Sequence, residues 1–240
     1  MKHYPPVGEV EGKKQHVEAM FDAIAPRYDL LNRVLSAGID QRWRKKAVAW
    51  LGEHQPRRIL DVATGTADLA IEARAIGPEK IVGVDISEQM LHIGRQKIAQ
   101  LGCEDQITLQ RGDAERLPFS DNQFDGALVA FGVRNFEDLG AGLKDIRRVL
   151  KPGGALVVLE FSQPTAFPVK QVYQFYTRVL LPRIGGAISK DSGAYKYLPD
   201  SIAAFPSGEA FLTELREAGF TAVAARPLTL GIVSLYKGIV

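Results

Sequence analysis

The chain has 240 residues, with 30 Lys and Arg against 28 Asp and Glu for a formal net charge of +2, and 46% of it is hydrophobic. That balance leaves no electrostatic footprint for a nucleic acid, and a single cysteine excludes an intrachain disulfide and argues against a Cys-based metal site, so no metal is expected and a reducing cytoplasm is the natural compartment. MKHYPPVGEV has no apolar centre for a signal peptide, no run is long enough to cross a bilayer, and no linker, repeat or low-complexity tract divides the chain, so one domain over 1–240 is expected, with N-terminal helices in 1–51 and an insertion at 161–206.

Residues 1–15 are polar and carry Pro5-Pro6, the mark of a loose arm. From His16, the residues Val17, Met20, Phe21 and Ile24 fall at i, i+3, i+4 and i+7, one face of a helix that Pro26 stops. The stretch Tyr28 to Leu51 ends in a helix with Trp43, Ala47 and Trp50 on one side and Arg42, Arg44, Lys45 and Lys46 largely on the other. Those cations read as a solvated face rather than a phosphate or membrane patch. Next comes RRILDVATGTAD, Arg57 to Asp68, where the β-prone Ile59, Leu60 and Val62 surround Asp61. The small residues Ala63, Thr64, Gly65 and Thr66 then let the backbone turn tightly and approach a ligand closely.

Ala67 to Ala75 reads as a helix broken by Gly77-Pro78, and Ile81 to Val84 as a second strand ending at Asp85. Ser87 suits the N-cap of a helix with Met90, Leu91, Gly94, Ile98 and Leu101 on its inner stripe and Gly102 as its stop. Ile107 to Gln110 make strand three, with Asp113-Ala114 just beyond, and Phe124 to Phe131 make strand four. Glu137 to Leu150 is a helix ending in a KPGG turn, and ALVVLE, ending at Glu160, is strand five. Strands alternating with helices imply a parallel sheet covered on both faces, with the ligand at the carboxyl ends of the strands.

Residues 161–206 break this rhythm with an aromatic helix (Val172, Tyr173, Phe175, Tyr176, Val179), Gly185-Gly186 and AYKYL. The segment is too long for a simple connection and is expected to cover the ligand-binding edge; its aromatic stripe reads equally as core or as pocket wall. Glu209 to Ala218 is helical, and the strands Thr221 to Ala225 and Ile232 to Lys237 have only Pro227 to Gly231 between them, which makes them an antiparallel hairpin.

Asp85 follows Gly65 by about twenty residues, the placement of an acid that accepts both hydroxyls of a ribose. The loop reads Thr64-Gly65-Thr66-Ala67 and lacks the G-x-G-x-x-G that cradles a pyrophosphate. A parallel sheet ending in an antiparallel hairpin, with such a loop, is the pattern of class I, Rossmann-like S-adenosylmethionine-dependent methyltransferases, an α/β fold with a mostly parallel seven-stranded sheet. Asp113 with Ala114 is placed to contact an adenine, and Asp61, Asp85 and Asp113 at successive strand ends are not incidental.

The motifs FDAIAPRYDLLNRVLSAGIDQRW, DVATGTADLA, DAERLPFSDNQFD, FGVRNF and RVLKPGGALVVLEFS, with LPRIG and YKYLPDSI in the insertion, make the chain resemble the quinone C-methyltransferases of menaquinone and ubiquinone biosynthesis from about residue 16 onward. Two positions depart from the family pattern: Asp40 stands where a histidine is usual four residues after Ser36, and Ala130 where some relatives have serine. The resemblance implies methyl transfer from S-adenosylmethionine to a ring carbon of a polyprenylated quinol, with Thr66, Asp85, Asp113 and Ala114 on the cofactor. Asp61 and Gly65 join them from the reading of the loop. Demethylmenaquinol is the preferred acceptor and a methoxy-polyprenyl benzoquinol the alternative; a non-catalytic binding module is the reading from another class.

Arg134 and Asn135 are the first catalytic candidates, Arg134 as stabiliser of the phenolate that makes the acceptor carbon nucleophilic. Its alternative is a salt bridge to Glu137 or Asp138. Tyr28 could hydrogen-bond the ring oxygen or be a structural tyrosine. The isoprenoid tail implies an apolar groove between Phe161 to Leu198 and the N-terminal helices, with peripheral membrane contact; a homodimer is a further expectation.

Overall fold

Ile59 to Val62, Ile81 to Val84 and Ala127 to Val129 are apolar without the alternation of a one-faced strand, apart from Asp61 and Gly83, and this pattern belongs to strands covered on both sides. The computed structural model, which describes residues 12–175 and 192–240, has them as β1 (Arg58–Val62), β2 (Lys80–Asp85) and β4 (Phe124–Ala130). With β3 (Ile107–Arg111), β5 (Leu150–Phe161), β6 (Thr221–Leu228) and β7 (Val233–Ile239) they form a sheet of order β3-β2-β1-β4-β5-β7-β6. All pairs are parallel except those of β7, which is antiparallel to both β5 and β6. The expected parallel sheet with a terminal hairpin is therefore correct, and the direction of winding reverses between β1 and β4, where a ligand crevice belongs.

Two apolar layers sandwich the sheet. One holds Phe124, Leu143, Ile146, Phe211 and Tyr236 beneath α6 (Leu139–Val149) and α9 (Glu209–Glu217). The other holds Trp43, Ala47, Trp50, Ala70 and Ile98, from α3 (Asp40–Gly52), α4 (Asp68–Ala73) and α5 (Glu88–Gln100). A third, small cluster joins Val17 and Met20 of α1 (Lys13–Ile24) to Tyr197 of α8 (Ser192–Ala204). Between these lie α2 (Tyr28–Leu35) and α7 (Val169–Phe175). Among the described residues no helix is long and apolar enough to cross a membrane.

Several expected boundaries move for local reasons. The first helix starts at Lys13 rather than His16, so Lys13 and Lys14 leave the expected arm and join α1. The sixth starts at Leu139 because the Asp138 carboxylate caps it, accepting from Ala141 N at 2.8 Å. Leu101 is 53% exposed and off the inner stripe, since α5 ends at Gln100, whereas Ser87 caps that helix as expected through Met90 N at 3.1 Å. Pro227 sits inside β6, which tolerates it as the sheet's last strand. The solvated-face reading fails at Arg44, which is 8% exposed and paired with Asp40 and Asp68. Tyr176, Val179, Gly185-Gly186 and the LPRIG motif lie outside the described residues, as does most of the N-terminal arm.

Phe211 is fully buried against Phe205 and Tyr236, with ring centroids at 5.0 and 4.7 Å. Phe211→Ala should cost about 3–5 kcal/mol, read as a lower urea midpoint with an unchanged slope.

Candidate active site

Where β1 ends, Ala63 (φ 54°), Gly65 (φ 55°) and Ala67 (φ 66°) all adopt left-handed backbone, which costs the two alanines strain and marks a turn held for a purpose. The loop is pinned from β2, because the Asp85 carboxylate accepts from Gly65 N at 2.8 Å and from Ser87 N at 2.9 Å. Across the crevice a Cβ on Gly132 would stand 2.6 Å from that of Ala63, so only glycine lets the strand-four tail approach the loop.

A small cavity of about 80 Å³ opens over this loop. It brings together the expected Gly65, Asp85, Asp113, Ala114, Asn135 and Tyr28, with Ala130 in its wall. Ile86 and Met90 add apolar surface, and Lys14, Val17 and Phe21 of α1 cover it. Asp61 and Thr66 stand behind the loop instead. The Asp61 Oδ2 accepts from the Thr64 hydroxyl at 2.6 Å, and the Thr66 hydroxyl donates to Asp29 of α2 at 2.6 Å. Asp113 is already engaged, accepting from Lys14 Nζ at 2.6 Å and from Glu115 N at 2.9 Å.

Beside it lies a second cavity of about 330 Å³, and Phe21, Tyr28 and Phe131 line both. Arg134 lines the second, 7% exposed. Its partner is neither Glu137 nor Asp138 but the fully buried Glu160 at the end of β5, 2.9 Å from Nη1. Glu137 instead accepts from Gly12 N at 3.2 Å, and Asp138 caps α6. Arg134 Nε donates to Ser201 at 3.3 Å, its guanidinium lies 5.5 Å from the Phe161 ring centroid, and no described residue accepts from Nη2. Asn135 Oδ1 accepts from the Tyr197 hydroxyl at 3.1 Å. Sequence reasoning missed Glu160, Tyr197, Ser201 and the covering Lys14. Glu160 was findable, being a further acid at a strand end.

Burial sets the electrostatics. It pushes Asp61 up to about 7, against the Thr64 hydrogen bond, and Asp85 up to about 6. It also raises Glu160, which Arg134 opposes, and pushes Tyr197 up to about 12. Tyr28, hydrogen-bonded to Asn32, is likewise raised, and its hydroxyl lies in the fields of Arg134, Arg44 and Asp85. Lys13, 2% exposed, is lowered to about 8 while donating to the carbonyls of Arg134 and Phe136.

An α/β sheet of this order and direction, with a cavity at the β1 and β2 ends, defines the class I S-adenosylmethionine-dependent methyltransferase fold. An S-adenosylmethionine-dependent methyltransferase of Thermotoga maritima superposes with a TM-score of 0.65 at 20% identity, over 92% of this chain and 98% of that one. The [4+2]-cyclase SpnF superposes at 0.63 and 22% identity, over 95% and 80%. The model of the ubiE/COQ5 methyltransferase family matches residues 9–240, and the chain belongs to that family. A demethylmenaquinone methyltransferase of Bacteroides fragilis is 50% identical over 94% of this chain and 93% of its own length. One of Deinococcus radiodurans is 48% identical over 98% and 96%. The ubiquinone/menaquinone biosynthesis C-methyltransferase UbiE of Geotalea daltonii is 48% identical over 94% and 97%.

The residues fit S-adenosylmethionine, the cofactor of this methyltransferase. Asp85 offers an acceptor for ribose hydroxyls, the glycine at 132 keeps the crevice open, and Asp61 Oδ1, buried behind the loop, has no hydrogen-bond partner among the described residues.

An unfolded aspartate ionises near pH 4, whereas Asp61 in the fold keeps its proton to about 7. Between those values the folded state binds the extra proton, so its stability falls as pH rises and levels off above about 7, by on the order of 4 kcal/mol for this group. Asp61→Asn keeps an acceptor for Thr64 and removes the charge. Its melting temperature should hold between pH 5 and 8 better than that of the unaltered protein; parallel curves would show that Asp61 is not the titrating group.

Proposed function

We propose that this methyltransferase transfers the methyl group of S-adenosylmethionine to a ring carbon of demethylmenaquinol, giving menaquinol. The observation that carries the reading is the junction of the two cavities: a cofactor in the smaller and a flat acceptor in the larger would meet across Phe21, Tyr28 and Phe131. The walls of the larger cavity, among them Met20, Ile24, Leu31, Leu35 and Ile202, suit the start of an isoprenoid tail. The relatives named for demethylmenaquinone support the naphthoquinol; the relative named for both quinones supports a benzoquinol as the second reading.

S-adenosylmethionine supplies an electrophilic methyl, so the protein's work is to align the acceptor, exclude water and favour the nucleophilic phenolate. Asp85 receives the ribose hydroxyls, Asp113 and the Ala114 backbone receive the adenine, and Gly65 allows the loop's close approach. Thr66 ties the loop to α2 and Asp61 holds Thr64 from behind. An arginine is too basic to take the acceptor's proton, and a guanidinium with an uncommitted Nη2 is instead a donor for the developing oxyanion. Glu160 and Ser201 hold that guanidinium, Tyr197 holds Asn135, and Tyr28, which lines both cavities, is the candidate donor to the ring oxygen.

Removing Arg134 outright would leave Glu160 charged and unpaired, so the informative change is Arg134→Lys, which keeps the charge and loses the fork. A kcat about 10²–10³-fold lower with cofactor affinity unchanged is expected, and an unchanged kcat would remove Arg134 from the mechanism. The activity itself is tested with labelled S-adenosylmethionine and the reduced demethylmenaquinone offered beside a reduced methoxy-polyprenyl benzoquinone. Label in the naphthoquinol supports the reading, label in the benzoquinol alone moves the pathway, and label in neither with cofactor bound ends the quinone assignment.

The tail also implies contact with a membrane surface, and Leu30, Val34, Phe167 and Val172 are exposed apolar residues available for it. Flotation with liposomes should carry the protein upward; its absence at every lipid composition would remove this part.

A further inference from the structure

The acceptor cavity has a polar cluster that the mechanism above leaves unused. Asp40, the first residue of α3, is 5% exposed and lines that cavity with Ser36 and Arg44. Its Oδ1 accepts from the Ser36 hydroxyl at 2.7 Å and its Oδ2 from Arg44 Nη1 at 2.7 Å. Arg44 is shared with Asp68, 3.1 Å away, and Asp68 with Lys97, so the carboxylate belongs to a row of alternating charges. A carboxylate has about four lone-pair sites, of which these bonds use two.

Aromatic rings stand between this cluster and Arg134. Phe131 packs on Trp43 of α3 with centroids 6.2 Å apart and on Phe161 at 4.6 Å, and Phe161 in turn lies against the Arg134 guanidinium. The cavity that Phe131 and Tyr28 line therefore offers a flat ring two polar groups of opposite kind in its walls, Arg134 and Asp40. The guanidinium only donates hydrogen bonds, and the carboxylate only accepts them.

A quinol presents two hydroxyls across its ring. One must lose its proton for the carbon beside it to react, and that oxygen then needs donors, which Arg134 supplies. The other keeps its proton and needs an acceptor. We propose that Asp40 accepts the hydrogen bond of the hydroxyl that stays protonated, and thereby selects acceptors with two ring hydroxyls over acceptors with one. The inference rests on the quinol reading. The plainer account, an i,i+4 ion pair that fixes the start of α3, predicts equal losses on every acceptor when Asp40 is changed.

The test compares kcat/KM for the short-tailed dihydroxy acceptor with that for its two monohydroxy analogues, each lacking one ring hydroxyl. The unaltered enzyme should prefer the diol over the better analogue by about 10- to 100-fold, the scale of a hydrogen bond to a charged group. Asp40→Asn, which keeps shape and the Ser36 contact, should reduce that preference below about 3-fold, mainly by slowing the diol. Ser36→Ala should reduce it several-fold, and serves should Asp40→Asn fail to fold. Asp68→Asn, which touches Arg44 but does not line the cavity, should leave it unchanged. No preference in the unaltered enzyme, or a preference retained in the Asp40 and Ser36 variants, overturns the proposal while leaving the quinol reading intact. If the unaltered enzyme binds cofactor yet methylates no acceptor, the diol included, the quinol reading has failed and this inference with it.

Discussion

Carboxylates gathered at the carboxyl ends of a parallel sheet, with Asp61 and Glu160 fully buried, are the constraint around which the molecule is arranged. Asp61 lies in β1, Asp85 ends β2, Asp113 follows β3 and Glu160 lies near the end of β5. Negative charge packed this closely in low dielectric is costly unless it is hydrogen-bonded and paired. The backbone meets part of the need: Gly65 and Ser87 donate to Asp85, and Phe161 donates to Glu160 at 2.8 Å. Side chains meet more of it, Arg134 on Glu160 and Lys14 on Asp113. What is left over is visible in Asp61 and Asp85, held at about 7 and 6 by burial. An edge with that surplus of acid is completed by a ligand carrying positive charge, as a sulfonium and an ammonium do.

The same surplus explains how the N-terminal helices are attached. The apolar cluster that α1 shares with α8 is small, and most of the attachment is polar: Lys14 to Asp113, Asp22 accepting from Ser87 at 2.5 Å, Asp29 accepting from Thr66, and Glu18 with Arg111 at 2.6 Å. Half-exposed pairs of this kind each contribute little, so this layer has a lower opening free energy than the sheet beneath it. Several of its latches close on the loop after β1 and on Asp113 beyond β3. The N-terminal cover and the loop and strand ends beneath it are therefore joined by one set of polar contacts.

The sheet and its ligand edge were legible because their signals are local. Apolar runs of strand length, a small-residue turn and an acid at the strand end are properties of a few consecutive residues, and the parallel sheet with its antiparallel end follows from alternation and the short final hairpin. The positions of Asp85, Asp113 and Ala114 at strand ends beside the cavity were legible for the same reason. Glu160 obeys the same strand-end rule and was passed over as the tail of a strand. Lys13 and Arg44 were harder to read: the carbonyls of Arg134 and Phe136 that take up Lys13, and Asp68 that pairs with Arg44, are tertiary neighbours, so each cation has the same local sequence as a solvated one. The link from Tyr197 to Asn135 spans 62 residues and exists only because α8 folds back over the strand-four tail.

On the proposed reading of Arg134, Glu160 also answers an electrostatic difficulty of the chemistry. A methyl donor that is a sulfonium cation must bind beside a site meant to stabilise a phenolate, and a bare guanidinium there would repel the donor before it helped the acceptor. Pairing Arg134 with a fully buried carboxylate at 2.9 Å makes the unit close to neutral at a distance while leaving N–H groups at short range. The donor then meets little net repulsion, and an oxyanion still meets directed hydrogen bonds, which weaken less with neutralisation than a long-range field does. A lysine in that place would offer a point charge without the planar fork, and an uncharged amide would leave Glu160 alone in the core. With Arg134 in the proposed role, the Arg–Glu pair is thus an arrangement in which stabilising the acceptor does not work against binding the donor.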